Sequence, residues 1–409
     1  MNLPYQLFIG LRYLRSKRRH KGISVNTVIS IGGVAVGVMA LLVVLSVMSG
    51  FHEDLQKKIL GVNAHAVVLS YRGVMPDYHA VIEKTREDRD VVASSPFVMG
   101  QVMVSREKRA HGVFLRGILP ETEKNTTELN RFMKEGSLDA LMNDEEVPGI
   151  ILGKELAGSL GVFMGDVITV LSPVGRIGPL GMLPKVRQFK VAGIFEVGMF
   201  EYDSNLVLTG LKASQEFFDM KDEVTGVQLR LSDIYKADQV RERIEKQLEF
   251  PLHVKDWMQM NRNLFSALKL EKFAMFVMLI LITLVASFNI ISTLIMNVIE
   301  KTREIAILKT MGATDRGIMT IFMMQGLVIG LSGTIIGLAG GYLLCHILNT
   351  YEVIKLPADV YYLSRLPVKT KLFDFIVVSL SAICISFIAT LYPAWQAAKL
   401  NPVEPLRYE

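Results

Sequence analysis

Cysteine is almost missing from this chain: Cys345 and Cys384 are the two among 409 residues, and both fall inside long apolar runs. The large segment between the first two such runs holds none, so no disulfide framework supports it and a redox role finds no footing. No cysteine lies near the N-terminus to accept a lipid. The seven histidines are scattered, without H-x-x-x-H spacing or a Cys/His cluster, so no metal site is expected. Gly149, Gly153 and Lys154 have the look of a phosphate-binding loop, but the spacing is one residue short. Glu155 also stands where Ser or Thr would hold Mg²⁺. No catalytic constellation remains, and the expectation is a non-catalytic chain with no cofactor of its own.

Charge is the second absence. Residues 25–49, 273–299, 318–346 and 375–393 contain no Lys, Arg, Asp or Glu. Crossing hydrocarbon takes about 20 apolar residues, and each run is long enough. With a positive mean hydropathy and half the residues hydrophobic, the chain reads as a membrane protein with four spans. The first 22 residues carry six Lys or Arg and no acid, which predicts a cytoplasmic N-terminus and, after an even number of spans, a cytoplasmic C-terminus. The segment 51–272 then lies outside. The first run is too long for a signal peptide and no A-x-A site follows it, so it is expected to stay as an anchor. Leu3, Leu7, Leu11 and Leu14 recur at helical spacing among arginines and predict an interfacial helix over 1–22.

These limits divide the chain into spans at 23–50, 273–299, 317–347 and 374–394. A cytoplasmic segment follows at 300–316, an outer loop at 348–373 and a tail at 395–409. Within 51–272 the pattern strand, helix, strand occurs twice. It appears first at 64–71, 77–89 and 98–105, and again at 226–232, 237–249 and 252–257. The two units are expected to pack together as one part, 60–108 with 222–260, and to bracket a β-rich insertion at 109–221. In that insertion, Pro and Gly punctuate 173–184 and predict a long loop between two strands. Val174, Ile177, Leu180 and Met182 near its tip point to a partner-binding loop.

The spans carry packing signals. Gly333, Gly337 and Gly341 recur every four residues in the third span, and Gly33 and Gly37 do so in the first; small residues at that spacing let helices approach closely. Asn289, polar at mid-membrane depth, is expected to bond a neighbouring helix. Methionines near the outer ends of the first two spans (Met39, Met48, Met275, Met278) suit a surface that meets acyl chains. Between the second and third spans, EKTREIAILKTMGATDRGI (300–318) is too polar to insert. The spacing predicts a short surface helix with Ile305, Leu308 and Met311 along one side and Gly312 as its stop. Glu300, Arg303, Glu304 and Lys309 surround the other side. Such a helix fits a groove in a cytoplasmic partner, the alternative being a membrane-surface helix that holds itself.

Several of these stretches resemble one family. TREIAILKTMGAT after the second span is similar to the coupling-helix signature of FtsX/MacB-type ABC transporter subunits, and YPAWQAAKLNPVEPLRYE resembles their usual ending. SVMSGFHEDLQKKILGVNAHAVV (46–68) and FEVGMFEYDSNLVL (195–208) resemble the lipoprotein-releasing permeases, the LolC/LolE family. The resemblance covers nearly the whole chain.

It implies an α-helical membrane protein with four transmembrane helices. A large α+β periplasmic domain, with porter-like and sabre-like parts, would be inserted between helices 1 and 2. It implies an inner-membrane subunit of an ATP-driven complex that extracts lipoproteins from the outer leaflet and hands them to a periplasmic carrier. The implied partners are a LolD-like ATPase dimer that binds the ATP and Mg²⁺, a second copy or a LolE-like permease, a LolA-like carrier, acylated lipoproteins and membrane lipids. Nucleic acid is not among them. The ATPase-coupling helix would be Thr302, Arg303, Glu304, Ile305, Ala306, Ile307, Leu308, Lys309, Met311 and Gly312. The carrier-binding hook would be Pro173, Val174, Gly175, Arg176, Ile177, Gly178, Pro179, Leu180, Gly181, Met182 and Pro184, so the chain is LolC-like there. Val44, Met48, Phe273 and Val277 are expected acyl contacts from depth. Two other readings stand beside this one: a MacB-like efflux permease and an FtsX-like transmembrane signalling scaffold.

Overall fold

A computed structural model describes residues 21–142, 146–178, 181–351 and 367–401; the side chains of 21–25, 174–178, 181–183, 279 and 283 are outside the description. The predicted interfacial helix over 1–22 falls almost wholly outside the described residues. In chain order, the elements begin with helix α1 (Lys21–Val62), strand β1 (Ala66–Ser70), α2 (Tyr78–Arg86), β2 (Val91–Arg106) and β3 (Arg109–Ile118). They continue with α3 (Pro120–Thr126), β4 (Met133–Gly136), β5 (Gly149–Gly153), α4 (Lys154–Leu160), β6 (Val167–Gly178) and β7 (Gly181–Phe195). Next come α5 (Phe200–Asn205), β8 (Leu206–Gly210), α6 (Leu211–Phe217), β9 (Gly226–Leu231), α7 (Ala237–Gln247), β10 (Leu252–Asp256) and α8 (Trp257–Met260). The last four are α9 (Arg262–Glu300), α10 (Thr302–Thr310), α11 (Asp315–Tyr351) and α12 (Leu372–Ala398). Two units result: Met1–His52 with Ala267–Ile354 and Leu366–Glu409, and Glu53–Ser266 with Lys355–Arg365.

In the second unit, β1 lies between β10 and β9, antiparallel to both, and β9 pairs antiparallel with β2. The two strand–helix–strand units seen in the sequence therefore interleave as β10-β1-β9-β2. Their shared core holds Val68, Val227, Leu229 and Val254 from the strands, Val81 from α2, and Val240 and Ile244 from α7. The strand expected at 98–105 begins earlier, at Val91, because its first half is needed to pair β9. Its second half pairs β3, so one long strand serves both parts of the unit.

From β3 the pairing runs to β8, β5, β7 and β6, and β6 returns to β2. Six strands thus close a ring, which leaves no free edge within it. Alternate residues fill the interior: Val102, Val104, Val113, Leu115, Ile150, Leu152, Ile168, Val170, Phe189 and Val191 are all buried in one cluster. Where the ring meets the β10-β1-β9-β2 part, Arg116 and Glu123 are both buried and 3.2 Å apart. Arg116 also donates to Gln228 on β9 and to the Val62 carbonyl at the end of α1, while Gln228 donates to Glu123 at 3.1 Å. A buried pair is tolerated where each partner is otherwise hydrogen-bonded, as here.

In the first unit, α1, α9, α11 and α12 are each long and apolar enough to cross a membrane. All four extend past the uncharged runs, since EDLQKK after the first and NLFSALKLEK before the second are themselves good helix formers. The glycines of α11 divide between two neighbours. A Cβ at Gly326 would stand 1.7 Å from Thr390, and one at Gly330 2.4 Å from Ser386, both on α12. At Gly333, Gly337 and Gly341 it would meet Val34, Val38 or Ala35, and Leu42 of α1, within 2.8 Å. Asn289 accepts from Ser30 of α1 at 3.0 Å, and a Cβ at Gly33 would touch its amide at 3.0 Å.

Candidate functional sites

The segment 300–318 folds as a helix, a stop and a second start. Gly312 has φ +98, open to glycine without strain. Its N–H donates to the Lys309 carbonyl while Ala313 N–H reaches Leu308, the paired bonds of a Schellman turn. Thr314 then caps α11 by accepting from the Gly317 N–H at 3.2 Å. The predicted apolar side has a different owner from the one the pattern suggested. Ile305 is 1% exposed and, with Leu308, packs against Ile318, Ile321 and Phe322 of α11 and Ala394 and Ala397 of α12. Ala306 is buried too.

What α10 leaves bare is another strip: Ile307 is exposed, Met311 is 79% exposed, and Arg303, Glu304 and Thr310 lie exposed around them. Lys309 is not part of a polar outer rim. Its ammonium donates to the carbonyls of Ala398 and Leu400 at 2.5 and 3.0 Å and pairs with Asp315 at 2.9 Å. A cation on the last carbonyls of α12 satisfies groups that a helix end leaves open. Thr302 bonds back to Val298 of α9, and Lys301 pairs with Glu304.

Residues 173–178 and 181–184 are strand rather than loop. β6 runs to Gly178 and β7 starts at Gly181, with Arg176 opposite Leu183, Ile177 opposite Met182 and Gly178 opposite Gly181. The register shifts between Ser172 and Arg176, so that Pro173, Val174 and Gly175 face Pro184. Proline has no N–H for a ladder, and one on each strand at the same level explains why pairing lapses and resumes. Pro179 and Leu180 lie outside the described residues. Pro173 and Pro184 are both exposed. The ribbon's root is held by Lys185, which meets Asp219 at 2.6 Å, and by Arg187, which meets Glu216 at 3.1 Å.

Of the expected acyl contacts, Phe273 is 64% exposed, Val277 and Val44 are exposed, and Met48 is half-buried. Phe273 and Val277 lie one turn apart on α9. The same helix also exposes Leu270, Phe276, Leu281, Leu284 and Phe288, which depth alone did not single out. Another missed pair is His52 of α1 and Glu271 of α9, 3.4 Å apart.

The stretch 195–208 is a structural clasp. Asp203 accepts from the N–H groups of Val197 and Gly198 at 2.8 and 2.9 Å, Lys58 donates to the Gly198 carbonyl, and Asn63 bonds the Tyr202 hydroxyl. Burial pushes the Tyr202 phenol up to about 12 and the Asp203 carboxyl above its ordinary range, the latter opposed by its N–H donors.

Two known families match: the FtsX-like permease C-terminal family over residues 276–402, and the MacB-like periplasmic core domain over 27–247. The chain is 40% identical to the lipoprotein-releasing system transmembrane protein LolC of Xylella fastidiosa (strain Temecula1), covering 99% of each chain. It is 36% identical to LolC of Neisseria meningitidis serogroup B and 30% identical to LolE of Haemophilus influenzae, again over 99% of each. A structural likeness to the periplasmic region of MacB from Actinobacillus actinomycetemcomitans has a TM-score of 0.34 at 11% identity, over 52% of this chain and 97% of that one, too low to carry weight.

Proposed function

The chain belongs to the family of LolC transmembrane proteins of lipoprotein-releasing systems, and from that premise we propose how its parts do the work. It is a permease subunit of such a system, a multi-pass inner-membrane protein with a periplasmic domain. In this reading both termini and α10 are cytoplasmic, and α10 docks in a groove of an ABC ATPase, which binds the ATP and Mg²⁺. The observation that carries it is the division of labour on α10. Ile305, Ala306 and Leu308 fix the helix to α11 and α12, while Ile307 and Met311 stay bare one turn apart. Bare apolar residues framed by Arg303 and Glu304 are the anchors a groove takes, and a helix fixed to two spans passes the ATPase's motion to both.

The second permease is a copy of this chain or a LolE-like partner, and the exposed side of α9 with Val44 and Met48 receives the lipoprotein's acyl chains. Each buried methylene is worth about 0.8 kcal/mol, so extracting three chains needs coupled ATP use and an apolar path. The ribbon carrying Pro173, Arg176, Ile177 and Pro184 presents the periplasmic carrier with its docking edge. Full-length similarity to releasing-system proteins favours this over the efflux and signalling readings.

Mass spectrometry of what co-purifies from gently solubilised native membranes tests it. Recovery of an ATPase with acylated lipoproteins is the expected result. An ATPase accompanied by a wall hydrolase or a tunnel protein, with no lipoprotein, would overturn it.

A further inference from the structure

The outer stripe of α12 ends in a combination that neither coupling nor transport uses. Ile376, Leu380, Ile388 and Leu391 are exposed in succession along it, followed by Tyr392 and Trp395, 57% and 49% exposed. Lys399 comes last, its ammonium 4.1 Å from the centre of the Trp395 ring. Lys399 is the only charged residue between Phe375 and Leu400. Among the described residues it makes no ion pair with a carboxylate.

From the middle of the span to its end, the order on this face is hydrocarbon, two amphipathic rings, then a cation. That is the order of a phospholipid's own parts: tail, ester region, phosphate. Tyr and Trp favour the interfacial level of a bilayer, and a lysine at that level attracts anionic headgroups. One objection is electrostatic, because a helix C-terminus carries partial negative charge and repels a phosphate. Here that charge is already met: Lys309 donates to the carbonyls of Ala398 and Leu400. Lys399 itself stays free of that duty, held over Trp395 and facing outward.

We propose that Tyr392, Trp395 and Lys399 form a headgroup site for an anionic phospholipid, in the leaflet that borders α10. The bound lipid's tail lies along Leu391, Ile388 and Leu380. Because Lys309 ties α10 to the same end of α12, occupancy of this site stiffens the part of the spans on which α10 rests. The site stands on this geometry alone and does not depend on what the complex transports.

The test is native mass spectrometry of the full chain, purified in its complex and titrated with phosphatidylglycerol or phosphatidylethanolamine. Wild type is expected to hold phosphatidylglycerol in preference. Lys399→Gln is expected to cut that preference by about fivefold, the effect of one lysine near a charged surface, and Lys399→Arg to keep it. Trp395→Leu should weaken retention of both lipids. Should Lys399→Gln lose the fold, Lys399→Arg compared with Trp395→Leu decides. Equal retention of the two lipids by wild type, or an unchanged preference in Lys399→Gln or unchanged retention in Trp395→Leu, overturns the proposal.

Discussion

Helices α9 and α11 are nearly the same length, 39 and 37 residues, and both are apolar enough to span a bilayer. Yet α11 sets five glycines against α1 and α12 at distances no side chain could share, whereas α9 exposes large apolar groups for most of its length. Apolar composition therefore does not tell a fixed helix from an open one. Residue size at the contact does: glycine marks the side that must fit, and Phe or Leu marks the side left to lipid, substrate or a second subunit.

The sharpest way to break that contrast is to fill the tight side. Gly326→Leu puts a side chain where even a Cβ would overlap Thr390, and we expect it to abolish the monodisperse, folded chain in size-exclusion runs. Leu281→Ala on α9 is expected to leave thermal stability within about 0.5 kcal/mol, as for other exposed positions. If both substitutions act alike, the two helices do not differ as described.

The same contrast recurs on the two sides of α10. Ile305→Ala should cost about 2–4 kcal/mol because it empties a packed site, read as a fall in Tm in detergent. Ile307→Ala should leave Tm unchanged while weakening retention of the ATPase. Smaller still, Lys309→Met removes a cation from the end of α12, where such contacts are worth about 1 kcal/mol; Tm should drop slightly, with the ATPase still bound.

How much of this could be read beforehand depends on whether the answer lay within one segment. The four long apolar helices were legible because unbroken apolar runs have few other fates, and Gly312 was legible as a stop because a turn of that hand favours glycine. The identity of what covers Ile305 and Leu308 was not legible. A helical pattern reports that one side is apolar but not whether the cover is another chain or Phe322 and Ala394 of this one. The ribbon at 173–184 was misread for a related reason. Gly and Pro density speaks for a loop, but Ile177 and Met182 supply each other's pairing partners. Closure of the six-stranded ring through β6 and β2 needed contacts about 65 residues apart, which no local pattern carries.

A subtler difference separates the interleaved β-α-β part from the ring. The former contains His65, whose Nδ1 lies 3.0 Å from the Leu231 N–H and whose pKa burial lowers from 6.5. A depressed histidine binds fewer protons folded than unfolded, so its contribution is full above pH 6.5 and is lost as pH falls below that value. Thermal melts from pH 8 to 5 should show wild type losing stability faster than His65→Gln. Asp203, with its raised pKa, pulls the other way in both chains and cancels in the comparison.

Coupling through the bare strip of α10 is measured most directly by lipoprotein release from proteoliposomes holding the complex with the double substitution Ile307→Glu and Met311→Glu. The expected result is wild-type Tm for the chain, loss of the ATPase on purification and no release on adding ATP and carrier. Normal release by this variant, with the ATPase still bound, would contradict it.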